Sequence, residues 1–130
     1  MSLHIESRTV VISKSPQETF TFLSTLTNYE QLMPESTEKF QIDGNSFVFA
    51  LKGMPEIRLI LKEAVPNKSI VLGAASSKLP FTLSSSIEEE AGSSKIHLSF
   101  QGDFNPMMRM MVTKPLTHFI NTLIDNIEKV

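Results

Sequence analysis

The rhythm of apolar and polar residues changes along this chain, and each change marks a different kind of element. From Ile5 to Ser13, β-branched residues (Thr9, Val10, Val11, Ile12) sit among polar ones, which predicts a first strand. Ser15-Pro16-Gln17-Glu18 then predicts a helix start. Ser15 can accept from the amide of Glu18, Glu18 can reach back to Ser15, and Pro16 stands where no amide donor is needed. Phe20, Phe22 and Leu23 supply the apolar side of that short helix. Asn28-Tyr29-Glu30-Gln31 repeats the capping pattern, and Met33-Pro34 ends a second short helix, because the residue before proline disfavours helical backbone.

From Glu35 to Asp103 the period becomes two. Phe40 and Ile42 lead to the turn Asp43-Gly44-Asn45, and Phe47, Phe49 and Leu51 then alternate with Val48 and Ala50. Gly53-Met54-Pro55 breaks the run. Ile57, Leu59 and Leu61 follow, opposed by Arg58, Ile60 and Lys62. Pro66-Asn67-Lys68 turns into Ile70-Val71-Leu72, and Ser76 to Pro80 reads as a loop. Phe81, Leu83 and Ile87 make the next strand, Ala91-Gly92-Ser93 the next turn, and Ile96, Leu98 and Phe100 the last strand. Six strands with close-set turns predict an antiparallel meander, since parallel strands need longer crossovers.

The tail, Asn105 to Val130, returns to a helical period. Val112, Leu116, Phe119, Ile120, Leu123 and Ile127 recur at spacings of three and four behind an Asn105-Pro106 start. A helix of ~24 residues is ~36 Å long, enough to cross a small domain. Pro115 lies inside it and cannot donate to the carbonyl of Met111, which predicts a kink or a break into two helices.

Composition narrows the function classes. The chain has 130 residues and reads as one domain, residues 1–130. Its formal net charge of −2 argues against a nucleic-acid binder, whose footprint is a basic excess. It has no cysteine, which excludes disulfides, Cys-ligated zinc and thiol catalysis. No basic segment followed by an apolar run opens the sequence, and no apolar stretch reaches the ~20 residues of a membrane span. The expectation is a soluble, cytoplasmic protein.

Four stretches give the chain a resemblance. Val10 to Glu18 leading into Thr19-Phe20-Thr21-Phe22-Leu23-Ser24 is similar to the strand-to-helix start of the START-like superfamily, also called SRPBCC. That superfamily includes birch-pollen-allergen-like proteins and the polyketide cyclase/dehydrase group. Asn28-Tyr29 through Leu32-Met33-Pro34 looks like its second-helix ending, also found in coenzyme-Q-binding relatives. Pro66-Asn67-Lys68 before an apolar strand fits its mid-sheet hairpin, and Phe104-Asn105-Pro106-Met107-Met108 fits its final crossing. The resemblance implies an α+β helix-grip fold, in which a curved seven-stranded antiparallel sheet wraps a long C-terminal helix. It also implies a cavity between them that takes a lipid, quinone, polyketide-like or other apolar molecule.

The residue pattern points to the same space. One sheet face carries Phe47, Phe49, Leu59, Leu61, Leu72, Phe81, Leu83, Leu98 and Phe100, and the helix offers Met108, Met111, Val112 and Phe119. These thirteen are the candidate ligand-contacting residues, and for any one of them the simpler reading is core. Four of the seven methionines fall between Met107 and Met111, and such side chains suit a tolerant pocket, core filling or a partner surface.

Chemistry-bearing groups are sparse. His4, His97 and His118 lack ligand-like spacing, so neither a metal nor a cofactor is expected, and His97 falls on the polar side of its strand. Tyr29, His118 and Arg58 are the only catalytic candidates, with Arg58 directed outward by its strand. Glu88-Glu89-Glu90 reads as a solvated charge run, and no serine occupies a Gly-x-Ser-x-Gly elbow. The leading expectation is a non-catalytic binder of a small hydrophobic molecule. The alternatives are a cyclase or dehydratase, or an interaction module such as a homodimer with Val48, Ala50, Ile60 and Val71 forming an outward patch.

Overall fold

A computed structural model describes residues 2–54, 56–75 and 81–130. Pro55 of the Gly53-Met54-Pro55 break and the expected loop 76–80 lie outside the described residues. The element order is β1 (Ser2–Glu6), β2 (Val10–Ile12), α1 (Pro16–Ser24), a 3-10 helix (Leu26–Leu32), β3 (Thr37–Asp43), β4 (Ser46–Leu51), β5 (Ile57–Val65), β6 (Ser69–Ala74), β7 (Phe81–Glu90), β8 (Ser93–Asp103) and α2 (Pro106–Glu128).

The strands form one antiparallel sheet. Its order is β1-β8-β7-β6-β5-β4-β3, with β2 also on β8. The six strands from β3 to β8 are the predicted meander, and the N-terminal segment closes onto the last of them. The single first strand expected over Ile5–Ser13 is two short strands on one neighbour. At the break, the Ser7 amide donates to the Leu98 carbonyl, while the Ser7 hydroxyl accepts from the Leu98 amide at 2.9 Å. A side chain thus replaces one rung of the ladder, and the strand bends there. Counted by segments the sheet has eight strands; counted by path it has the expected seven.

Of the two short helices, only α1 has the expected cap. The Ser15–Glu18 capping box is present. Asn28, however, does not cap a second helix: its amide donates to the Phe22 carbonyl at 2.9 Å. The 3-10 helix begins earlier, after Thr25, and ends at Met33 before Pro34 as expected.

The concave face and α2 share one core. Phe47, Phe49, Leu59, Leu72, Leu83, Leu98 and Phe100 interleave with Val112, Leu116, Phe119, Ile120, Leu123 and Ile127, all buried. α2 runs along β1, β2, β8 and the 3-10 helix, while α1 covers the β6–β8 end. Buried hydroxyls pin α1 to the sheet: Thr19 donates to Ser94 at 2.8 Å, and Ser94 donates to the Lys14 carbonyl at 2.7 Å.

α2 is a single helix of 23 residues, about 34 Å long. It passes through Pro115 unbroken, so the division into two helices is not observed. Beyond Pro115 the helix is packed on its inner face at Leu116, Phe119, Ile120 and Leu123. Asn105 caps its start by accepting from the Met108 amide. Its far end is tied down twice. Asn126 donates to the Leu32 carbonyl at 2.9 Å, and Arg8, in the β1–β2 bend, donates to Asp125 at 2.6 Å and Glu128 at 2.9 Å.

The Arg8 guanidinium holds the Glu128 carboxyl below its ordinary value through their hydrogen bond, and Arg8 is raised in turn. A carboxyl depressed on folding contributes stability above its unfolded-state pKa, and that contribution is lost as pH falls through the folded-state value. Arg8→Gln is therefore expected to lower the urea midpoint at about pH 7. Its deficit against the parent should shrink as pH falls below the ordinary glutamate value of ~4.3, measured by urea melts across the acid range.

Candidate functional site

The thirteen residues singled out from the sequence do not share one environment. Phe47, Phe49, Leu59, Leu72, Phe81, Leu83, Leu98, Phe100, Val112 and Phe119 are buried, and Leu61 and Met108 are half-buried against them. Met111 is 49% exposed, so its placement on the inner face is corrected. The inner stripe of α2 runs through Val112, Leu116, Phe119 and Leu123. At 100° per residue, Met111 falls on the neighbouring flank with Met107 and His118. Met107 and Met110 are more exposed still, so three members of the methionine cluster meet solvent.

Aromatic rings fill the middle of the grip. Tyr29 stacks on Phe47 (5.4 Å between centroids), Phe47 contacts Phe40 and Phe49, and Phe49 stacks on Phe119 at 4.9 Å. The last pair joins β4 to α2. A separate stack, Phe81 on Phe100, lies on β7 and β8.

Between the end of β4 and α2 is a cleft of about 470 Å³, walled by Ser36, Leu51, Lys52, Lys114, Pro115 and His118. It lies at the seam where the far edge of the curved sheet comes round to α2. Leu51 is two residues along β4 from Phe49, on the same face, and His118 precedes Phe119 on α2. The backbone there is fixed by the Lys52 amide donating to the Ser36 carbonyl at 3.1 Å. Next door, the hydroxyl of Thr37, paired in register with Leu51, is buried without a hydrogen-bond partner. A larger cleft of about 810 Å³ lies between the start of α1 and the β5–β6 turn, away from the seam, with Glu88 and Glu89 on its wall.

The three catalytic candidates are not brought together. Tyr29 is enclosed, its hydroxyl donates to the Leu23 carbonyl at 2.7 Å, and burial pushes its phenol far above the ordinary value. Arg58 lies on the convex face, donating to Ser46 at 2.8 Å and pairing with Asp43. It stands opposite Val48, and its stem helps bury that residue, so the outward patch expected at Val48 is interrupted; Ala50, Ile60 and Val71 are half-buried. Only His118 lies on the seam cleft. His4 and His97 meet at one carboxylate, Glu6, at 3.8 and 3.5 Å, a juxtaposition set by the β1–β8 register. Among the described residues no group of side chains is arranged to hold a metal ion. No helix among them is long and apolar enough to cross a membrane.

Sequence reasoning passed over Ser36, Lys52 and Lys114. A Lys-Pro pair inside the long helix was the available signal for the last. Nothing local in the sequence places residues 36 and 52 beside it.

The architecture matches solved structures across almost the whole chain. The solution structure of the KanY protein superimposes with a TM-score of 0.79 at 12% identity, covering 99% of this chain and 97% of that one. The chain has the α+β helix-grip fold. Norcoclaurine synthase from Thalictrum flavum, solved with dopamine and hydroxybenzaldehyde, gives a TM-score of 0.70 at 15% identity, covering 99% of this chain and 86% of the synthase. The di-domain ARO/CYC StfQ of the steffimycin biosynthetic pathway gives 0.71 at 10% identity; this chain is covered to 99% and spans 50% of that longer protein. No protein-family model matches the sequence, and no curated protein sequence does.

The Phe49–Phe119 pair closes the interior between sheet and α2 at the seam. Phe119→Ala is expected to cost about 3–5 kcal/mol, the range for emptying a buried phenylalanine site. Urea denaturation measures it, and a loss below about 1 kcal/mol would mean that the ring does not fill the interior.

Proposed function

We propose that this protein binds a small hydrophobic molecule in the cytoplasm, admitting it at the seam cleft and seating its apolar part between the sheet and α2. The observation that carries this reading is the position of the cleft: its wall runs from Leu51 of β4 to Pro115 and His118 of α2, the same strand and helix that the Phe49–Phe119 stack joins. The fold adds support, since norcoclaurine synthase, a structural neighbour, was solved with two small aromatic compounds.

The energies favour entry. The attraction of a stacked ring pair beyond its area burial is ~0.5–1.5 kcal/mol. Removing ~300 Å² of apolar ligand surface from water returns about 7 kcal/mol before ordering costs. Displacing Phe119 also gives up burial worth about 3–5 kcal/mol, so parting it from Phe49 consumes a large share of that return without exhausting it. The inner candidates Phe47, Leu59, Leu72 and Leu98 then become contact residues, whereas Phe81 and Phe100, already stacked on each other, form the far wall.

His118 on the cleft wall favours a second reading, a cyclase or dehydratase acting on a polyketide-like substrate. Loss of turnover in His118→Ala with unchanged ligand binding would select it.

Thermal-shift and native mass-spectrometric surveys with quinones, fatty acids and polyketide-like aromatics test the binding reading. Ligand at a hundredfold excess over Kd is expected to stabilise the fold by about 2.7 kcal/mol, a rise of several degrees in Tm. A survey in which no compound is retained and none raises Tm, in the parent and in the looser Phe119→Leu alike, contradicts it.

A further inference from the structure

We infer that the seam cleft selects an anionic amphiphile: its carboxylate lies at the rim between Lys52 and Lys114, and its tail points inward past Phe119. This inference rests on the binding reading above and adds the charge of the ligand to it. The argument comes from comparing the clefts of one molecule. The large cleft beside α1 sets Lys68 against Glu88 and Glu89. A second, along α1, sets Lys14 against Glu18, and a third, over β7 and β8, sets Lys95 against Glu88. The seam cleft has two lysines, a histidine and a serine hydroxyl on its wall, and no carboxylate. In a chain of net charge −2, this is a local concentration of the opposite sign.

The cations are also available. Arg8, Arg58 and Lys39 are held by Asp125 and Glu128, by Asp43 and by Glu56 respectively. Among the described residues neither Lys52 nor Lys114 forms an ion pair. Their supports are fixed: Lys52 directly follows β4, where its amide donates to the Ser36 carbonyl, and Lys114 sits four residues before His118 on one flank of α2. Lysine stems can lie along Leu51 and Pro115 and leave their ammonium groups at the rim. That layout suits a molecule with one charged end and an apolar remainder.

Isothermal titration of the full chain with decanoate, 1-decanol and decyltrimethylammonium tests this. At low ionic strength decanoate is expected to bind about tenfold more tightly than decanol, equivalent to ~1.4 kcal/mol, and the advantage should fade as salt screens it. In Lys52→Met/Lys114→Met, which removes the charges and keeps unbranched apolar side chains, the ratio of decanoate to decanol affinity should fall to within about twofold; both side chains reach solvent, and an unchanged Tm verifies the fold. Equal binding of decanoate and decanol, or of decanoate and decyltrimethylammonium, overturns the selection of an anion and leaves apolar binding standing. A decanoate advantage retained in the double variant overturns the placement at these lysines. Failure of all three probes to bind overturns both readings together.

Discussion

A sheet that curves presents one apolar face to its own interior, and that face has to be covered by something as long as the sheet is wide. Here the cover is α2, a rod of 23 residues whose inner stripe meets Phe49, Leu98 and Phe100 of the concave face. The stack of Phe49 on Phe119 is where strand and helix touch ring to ring at the seam. The rest of the design serves that closure: the bend at Ser7 lets the N-terminal strands pair with β8 along both halves, and the 3-10 helix fills the corner beside Tyr29 and Phe47.

The grip on the helix is uneven, and the unevenness has functional meaning. The C-terminal half of α2 is buried at Phe119, Ile120, Leu123, Ile124 and Ile127 and tied by Asn126 and Arg8. The N-terminal half carries Met107, Met110 and Met111 in solvent, with Val112 as its first fully buried residue. Stability in a fold is distributed in this way, with segments poor in buried contacts opening at lower cost than the core. The seam cleft lies at the boundary of the two halves, beside Pro115, whose missing amide removes one rung of the helix.

The sheet was legible in the sequence because a period of two leaves little freedom. Once Phe47, Phe49 and Leu51 are inward, a one-residue slip would expose all of them, so register and burial are set together. The inner stripe of α2 was legible for the same reason at a period of 3.6. What escaped was decided between distant segments. Ser7 reads as an ordinary polar strand residue until Leu98 supplies its partner. Asn28 has the chemistry of a cap, but the helix begins after Thr25 and encloses it, and its side-chain amide donates to the Phe22 carbonyl instead. Met111 sits one position from a buried Val112, a distance over which a helix turns its side chains from core to flank. Val48 alternates outward as expected and is buried all the same, because Arg58 crosses the convex face beside it. The seam cleft belongs to this second group, since residues 36, 52 and 114 come together only when the sheet closes.

The closure itself can be measured through the pair that makes it, with a double-mutant cycle of Phe49→Leu and Phe119→Leu in urea denaturation. A stack that locks sheet to helix gives a coupling of about 0.5–1.5 kcal/mol, so the double variant loses less than the sum of the singles. Losses additive to within ~0.3 kcal/mol would mean that the two rings act independently, and the account of a seam held by their contact would be wrong.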